Sequence, residues 1–437
     1  MKIAWVTPYS RQSSIGRRSE EIIGRLAASC EVDLWHPETA DERPTVVRRR
    51  RFTQAEDKHA TELADYDLIA YNMGNYLPFH GEIYKLALKS PGVIILHDFV
   101  LHHFFAAYYF EELKNPAPYR DAMTRLYGNR GRQIAEGIIA GSHTRIWESD
   151  EVVDFPMFED VLAGADGVIT HSNFLADRVR KAFAGPVCTI PLCFEAPSPA
   201  APPAANDLDL PPERTLIVTI GHVNPNKRFE SVLKTLGSLK GLVPPFLYVV
   251  LGPYDKAYHK RLLDLVRQHN LGDSVRFLGY VSDEVLDAYL RRADLSVNLR
   301  YPALEGASGS IVEEMSYGKP TIVTDTGFYR ELPDHVVLKI SHGKESIELQ
   351  AALRRLLVEP EERRLLGARA LQFARQQFDP ASYAIRFLDF AAQVRQARPA
   401  IRLADRIASE LRDLGVTCRM PQSRSISERA YDLFFKK

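Results

Sequence analysis

Residues 196–213 read APSPAAPPAANDLDLPPE. Proline fixes φ and has no amide hydrogen to donate, so neither a helix nor a central strand can run through this stretch. It reads as a linker, and the chain must fold on either side of it. In a chain of 437 residues both sides are long enough to bury a core of their own. Before the linker, short apolar runs at 2–7, 32–35, 68–72, 93–97, 167–170 and 187–191 alternate with amphipathic stretches near 17–29, 82–89 and 174–183. After it, runs at 216–221, 246–252, 275–281, 295–299 and 321–324 are separated by helical segments such as 258–269. Strands alternating with helices predict parallel sheets covered on both faces. From Ser346 onward the text is helical, divided by Pro360 and Pro380 into at least three helices, and 399–437 reads as a separate helical appendix.

The expected fold class is therefore α/β, with two Rossmann-like doubly wound domains, 1–195 and 214–380, facing each other across a cleft. Helices over 381–437 would pack partly back on the first domain. Ligands of such sheets bind beyond the carboxyl ends of the strands, so chemistry is expected in the loops that follow them.

Composition narrows the chemistry further. The 56 basic and 56 acidic side chains cancel, which gives no overall pull toward nucleic acid or anionic lipid and leaves a small molecule as the expected partner. The apolar run at 3–6 is too short for a signal peptide, and no stretch approaches the roughly 20 apolar residues of a membrane span. A cytoplasmic protein is expected. Cys30, Cys188, Cys193 and Cys418 lack the paired spacing of a zinc site or the density of a disulfide scaffold, and read as reduced packing residues. The run Arg48 to Arg51, with Arg43 nearby, reads as a solvated loop; the second reading is a peripheral contact to a phospholipid-linked acceptor or the inner membrane face. FFAAYYF from Phe104, with Trp147, reads as core ahead of an acceptor groove.

Four loops carry candidate chemistry. YSRQSSIGRRSEE, from Tyr9, contains Gly16 and opens a helix whose first amides can bind an anion, although a polar loop turning a corner explains it equally well. It lacks the G-x-G-x-x-G spacing of a dinucleotide site. His97 and Asp98 end an apolar run at the rim of the cleft, where His97 is a candidate substrate contact. HDFVLHH also invites a metal reading, but its spacing is not that of a zinc protease, and histidines at the start of an aromatic helix read more plainly as packing groups. GHVNPNKRFE, from Gly221, sets Lys227 and Arg228 beside the amides of a helix start, an arrangement suited to a diphosphate. In LEGASGSIVEEMSYGKP, from Leu304, the small residues at 306–310 can cradle a phosphate while Glu305, Glu313 and Glu314 accept hydrogen bonds from hydroxyls. Carboxylates flanking a phosphate cradle suit a molecule that carries both phosphates and sugar hydroxyls.

Glu305 and Glu313 form an E-x7-E motif, and with their surroundings the chain resembles the GT-B glycosyltransferases that retain anomeric configuration, family 4. The resemblance runs to about residue 395 through THSNFLADRV at 170–179, IPL at 190–192, GHVNPNK, VRFLGYVSDEVL at 275–286 and GKPTIVTDTGFYREL at 318–332. It implies a metal-independent transferase with no cofactor, whose co-substrate is a nucleotide-diphosphate sugar. The implied acceptor is a glycan or lipid-linked saccharide of cell-surface polysaccharide synthesis. It further implies that Lys227 contacts the diphosphate, Glu305 the transferred sugar and Glu313 the ribose. Tyr280 and Val281 would frame the base through their backbone, the amides of Ser308, Gly309 and Ser310 would hold phosphate oxygens, Gly16 and Gly221 would lie beside the diphosphate, and His97 near the sugar.

Three departures from the family pattern stand out. His222 replaces an arginine normally close to the phosphates, and Arg228 stands where glycine is common. The sequence EGASGS in place of EGFG makes Glu314 an alternative ribose ligand. Other functions on the same scaffold are a nucleotide-sugar 2-epimerase and a non-catalytic nucleotide-sugar-binding protein.

Overall fold

A computed structural model describes residues 1–195, 197, 208 and 210–414; most of the linker, Cys418 and the appendix beyond 414 lie outside the described residues. The first lobe runs β1 (Lys2–Val6), α1 (Ser14–Leu26), β2 (Glu31–Pro37), β3 (Arg48–Phe52), α2 (Asp57–Leu63), β4 (Leu68–Met73), α3 (Leu77–Lys89), β5 (Val93–Leu96), α4 (His102–Ala107), α5 (Ala117–Ile139), β6 (Gly167–Thr170), α6 (Asn173–Ala182) and β7 (Val187–Thr189). Its strands form a parallel sheet in the order β3-β2-β1-β4-β5-β6-β7.

The second lobe runs β8 (Thr215–Ile220), α7 (Phe229–Leu239), β9 (Phe246–Leu251), α8 (Lys256–Gln268), β10 (Val275–Gly279), α9 (Asp283–Arg292), β11 (Leu295–Asn298), α10 (Gly309–Ser316), β12 (Thr321–Thr324), β13 (Leu338–Ile340) and α11 (Glu345–Val358). Its parallel sheet has the order β10-β9-β8-β11-β12-β13. Helices α12 (Pro360–Gln377) and α13 (Pro380–Asp413) close the described chain. Strands such as β4, LIAYNM, are buried along their whole length because helices cover both faces of the sheet.

Helix α13 leaves the second lobe and covers the first. Phe387, Phe390 and Val394 join Ile3, Trp5, Ile95 and Ile169 in one core cluster, with the Trp5 and Phe387 rings 5.2 Å apart. Arg398 and Arg402 both reach the buried Asp166, at 3.0 and 3.3 Å. The expected break before residue 399 is absent, and Pro399 lies inside the helix. The core contacts before it and the arginine pairs on both sides hold the helix in line across the missing hydrogen bond.

One further expectation changes, one strand was not foreseen, and one expectation holds. Arg48 to Arg51 do not form a loop: they are an edge strand, with Arg48 on Asp33 at 2.5 Å and Arg49 and Arg51 on Glu42 at 2.6 and 2.7 Å. Charge along an edge blocks pairing with a foreign strand, and local carboxylates already neutralise this row. Strand β13 is too short to leave a readable pattern. The aromatic segment after Leu101 is core, with Phe104 and Phe105 fully buried and Trp147 stacked on His102 at 5.6 Å.

The lobes meet along the loops at the carboxyl ends of their sheets. The amides of Phe99 and Val100 donate to Leu304 O at 2.9 and 2.8 Å, and the amide of Gly306 donates to His97 O at 2.9 Å. The loop bearing Glu305 is thus pinned to the loop bearing His97.

Candidate functional site

The second lobe contributes its first cation through a tight turn. After β8, Gly221 takes φ 95°; a Cβ there would stand 2.7 Å from the Nζ of Lys227. Only a residue without a side chain lets the ammonium fold back over the strand end, where it donates to Ile220 O at 3.1 Å. Lys227 is 7% exposed. Burial pulls its pKa well below the usual lysine value, the Arg300 charge adds to the fall, and Glu305 and Glu314 oppose it. Arg228, one residue on, has φ 60° and starts α7. That left-handed residue sends its guanidinium to Glu345, at 3.0 Å. Lys227 and Arg228, adjacent in sequence, therefore face different surroundings.

The second cation is one that sequence reasoning missed. Arg300 follows β11 and is 4% exposed. Its Nε donates to Glu305 Oε1 at 2.8 Å, Nη1 to Leu299 O at 2.7 Å and Nη2 to Ser310 Oγ at 3.3 Å. Tyr329 OH also donates to Glu305 Oε1, at 2.7 Å. Ser308 caps α10, and Gly309 and Ser310 form its first turn, where amides lack intrahelical partners. Its place at a strand's carboxyl end, which singled out His97, was the signal available for Arg300.

Helix α10 presents two buried carboxyls that meet different fates. Glu314 Oε2 accepts from Asn298 Nδ2 at 2.8 Å, while Oε1 is buried with no partner among the described residues. Burial pushes its pKa up to about 8 against the pull of Asn298, Arg300 and Lys227. Glu313 instead accepts across the cleft, from Arg17 Nη1 at 2.9 Å and Arg18 Nη2 at 3.4 Å on α1. Those arginines stood unremarked beside Gly16. The Gly16 amide itself donates to the cap Ser13 Oγ at 3.0 Å, and a Cβ on Gly16 would meet Pro8 O at 2.6 Å.

On the first lobe, His97 Nε2 pairs with Asn72 Oδ1 at 2.9 Å and its ring lies 4.7 Å from His171. Burial and the neighbouring histidines His171 and His80 hold its pKa well below the usual value, so the imidazole is neutral. Asp98 accepts from the Asn75 amide at 2.8 Å, and burial, with Glu305 adding, raises its pKa to about 7. His102 is bonded to Phe155 O and Tyr119 OH at 2.6 and 2.9 Å, and His103 to the Asn75 side chain at 3.2 Å. The histidines of HDFVLHH therefore have separate partners, and the described residues contain no group of three or more His, Cys, Asp or Glu that could hold a metal ion. Tyr280 and Val281 follow β10; Tyr280 is 55% exposed, and Val281 packs beside the buried cluster of Leu216 and Leu247.

The cleft is drawn shut by these bonds, together with one from Ser172 Oγ to Gly306 O. Open hollows lie elsewhere, such as one of about 380 Å³ lined by Arg228, Glu230, Ser231 and Arg261. That outer hollow has no carboxyl-end loop of β5 or β11 in it, and the candidate residues gather at the cleft instead. Lys227, Arg300 and the start of α10 can hold an anion, and Glu305 and Glu313 can accept hydroxyl hydrogens beside it.

Residues 203–373 match the family described as Glycosyl transferases group 1. No curated protein matches the chain. Among solved structures it is similar to a sucrose-phosphate synthase from Thermosynechococcus elongatus, at 18% identity and a TM-score of 0.62, covering 90% of this chain and 99% of that one. Anabaena Alr3699/HepE in complex with UDP and glucose gives the same identity and TM-score, covering 90% of this chain and 100% of that one. WaaG, a glycosyltransferase involved in lipopolysaccharide biosynthesis, is 14% identical with a TM-score of 0.57, covering 90% and 99%. These similarities establish the two-lobed GT-B fold.

Proposed function

From a second lobe that matches the family described as Glycosyl transferases group 1 and a chain folded as GT-B, we propose a transferase that moves a sugar from a nucleotide-diphosphate sugar to a hydroxyl acceptor with retention of configuration. The observation that carries this is the joining of Glu305 to the first-lobe loop at His97 and Asp98, beside Lys227 and the start of α10. In this proposal the acceptor oxygen attacks the anomeric carbon on the face from which the phosphate departs. The bond from that carbon to the phosphate oxygen breaks, the nucleoside diphosphate leaves with the electron pair, and a leaving phosphate oxygen takes the acceptor proton. Lys227 and the α10 amides stabilise the departing charge, a preorganised arrangement that needs no reorganisation during the reaction. Glu305, fixed by Arg300 and Tyr329, orients the sugar hydroxyls. Glu313 takes the ribose hydroxyls once Arg17 and Arg18 yield it, with Glu314 as the alternative.

The two close carboxyls of a retaining hydrolase are not required. His97, neutral and held by Asn72, donates or accepts at the sugar without adding charge. The acceptor proposed is a glycan or a lipid-linked saccharide.

A thermal-shift series with UDP-, GDP- and dTDP-sugars tests donor binding, because a ligand of the folded state alone raises the melting temperature. At least one donor is expected to raise it, and Glu305→Gln and Lys227→Ala are expected to abolish transfer while staying folded. Silence from every donor would overturn the proposal. Incubation with donor alone separates transfer from 2-epimerisation, since only an epimerase alters the sugar without an acceptor.

A further inference from the structure

We propose that Arg300 contacts the donor's β-phosphate directly and shares the departing charge with Lys227. This deepens the function proposed above and rests on it. A guanidinium carries five N–H donors. In Arg300, Nε is directed to Glu305, one Nη1 hydrogen to Leu299 O, and one Nη2 hydrogen to Ser310 Oγ across a longer 3.3 Å. Each Nη therefore keeps a hydrogen for another acceptor. A cation this buried is costly unless its donors are satisfied, and a phosphate oxygen is the acceptor a guanidinium fork matches best.

The placement selects the phosphate. Arg300 holds Glu305, the carboxylate proposed for the transferred sugar, and the phosphate next to that sugar is the β-phosphate. Ser310, the other side-chain partner, stands in the first turn of α10 among the amides suited to the same anion. The two cations also differ in kind. Burial weakens the hold of Lys227 on its proton, whereas a guanidinium keeps its charge at any working pH. Arg300 is thus a charge in place before a donor arrives. Glu314, pushed up to about 8, is mostly protonated at neutral pH and does not cancel that charge.

The test is calorimetric titration of UDP and UMP into the wild type, Arg300→Gln and Arg300→Lys, each checked for folding by its apo melting curve. GDP with GMP and dTDP with dTMP serve where the uridine pair is silent. Losing a charge-assisted contact to the β-phosphate should weaken diphosphate binding by ~10- to 100-fold and monophosphate binding by under ~3-fold. Arg300→Lys keeps the charge and loses the fork, so its diphosphate-to-monophosphate ratio should fall between the two. That lysine variant decides the matter if the glutamine variant does not fold. A residue that only braced Glu305 would lower transfer and leave the ratio unchanged, and an unchanged ratio in a wild type that binds UDP overturns the Arg300 contact alone. A wild type that binds no nucleoside diphosphate overturns the donor proposal and this one with it.

Discussion

Glu314 is fully buried beside Lys227 and Arg300, and its protonation links the site to stability. A carboxyl whose folded pKa is raised binds its proton more tightly folded than unfolded. Its contribution is therefore whole below the unfolded value near 4.5 and is lost as pH rises through about 8. Glu314→Gln mimics the protonated form, so it should melt close to the wild type at pH 5 and above it at pH 9; parallel melting curves across that range would exclude the link. Lys227 poses the opposite problem, an ammonium held at a desolvation cost. Lys227→Met should melt no lower than the wild type, while donor affinity in calorimetry falls at least ~10-fold, the worth of one charged hydrogen bond. Spacing made Glu305, Glu313, Glu314 and Lys227 legible in the sequence. It could not separate Lys227 from Arg228, because a single left-handed residue turns the second away to Glu345. Nor could it show that Glu313 spends its charge on Arg17 and Arg18, since that contact joins positions nearly 300 residues apart.

Among the elements, the parallel strands were readable because burial on both faces leaves uninterrupted apolar runs. Strand β3 was not, because its arginines carry the pattern of a solvated loop and only the carboxylates of Asp33 and Glu42, in other segments, make it a strand. The contact between the two loop sets depends on Gly306. A Cβ there would collide with Leu175 Cδ2 and stand 3.0 Å from His97 O. Gly306→Val should therefore part the lobes while leaving both sheets intact. Small-angle scattering should show a larger radius of gyration, circular dichroism should be unchanged, and transfer should fall more than ~10-fold, as small misplacements of reacting groups do. An unchanged radius with full activity would show that the closed contact is not needed.

For the whole molecule, α13 is the strap that makes one body of two lobes. Its beginning was legible at Pro380, but its path was not: Pro399 reads locally as a stop, and the core that carries the helix past it belongs to the other end of the chain. Phe387, 1% exposed against Trp5, should cost about 3 to 5 kcal/mol on truncation to alanine. All three tryptophans, Trp5, Trp35 and Trp147, lie in the first lobe, so Phe387→Ala should lower the melting midpoint seen by tryptophan fluorescence. An unmoved fluorescence midpoint would mean that α13 does not stabilise that lobe. In the proposed transfer, a common cleft also means that donor and acceptor meet only when both lobes are in place. The most direct test is nuclear magnetic resonance of the first product formed from the donor that binds, with a glycan fraction as acceptor, in the wild type and in Glu305→Gln and Lys227→Ala. The prediction is release of a nucleoside diphosphate coupled to a new glycosidic bond of unchanged anomeric configuration, absent from both variants; an inverted configuration, or turnover that survives in the variants, would contradict it.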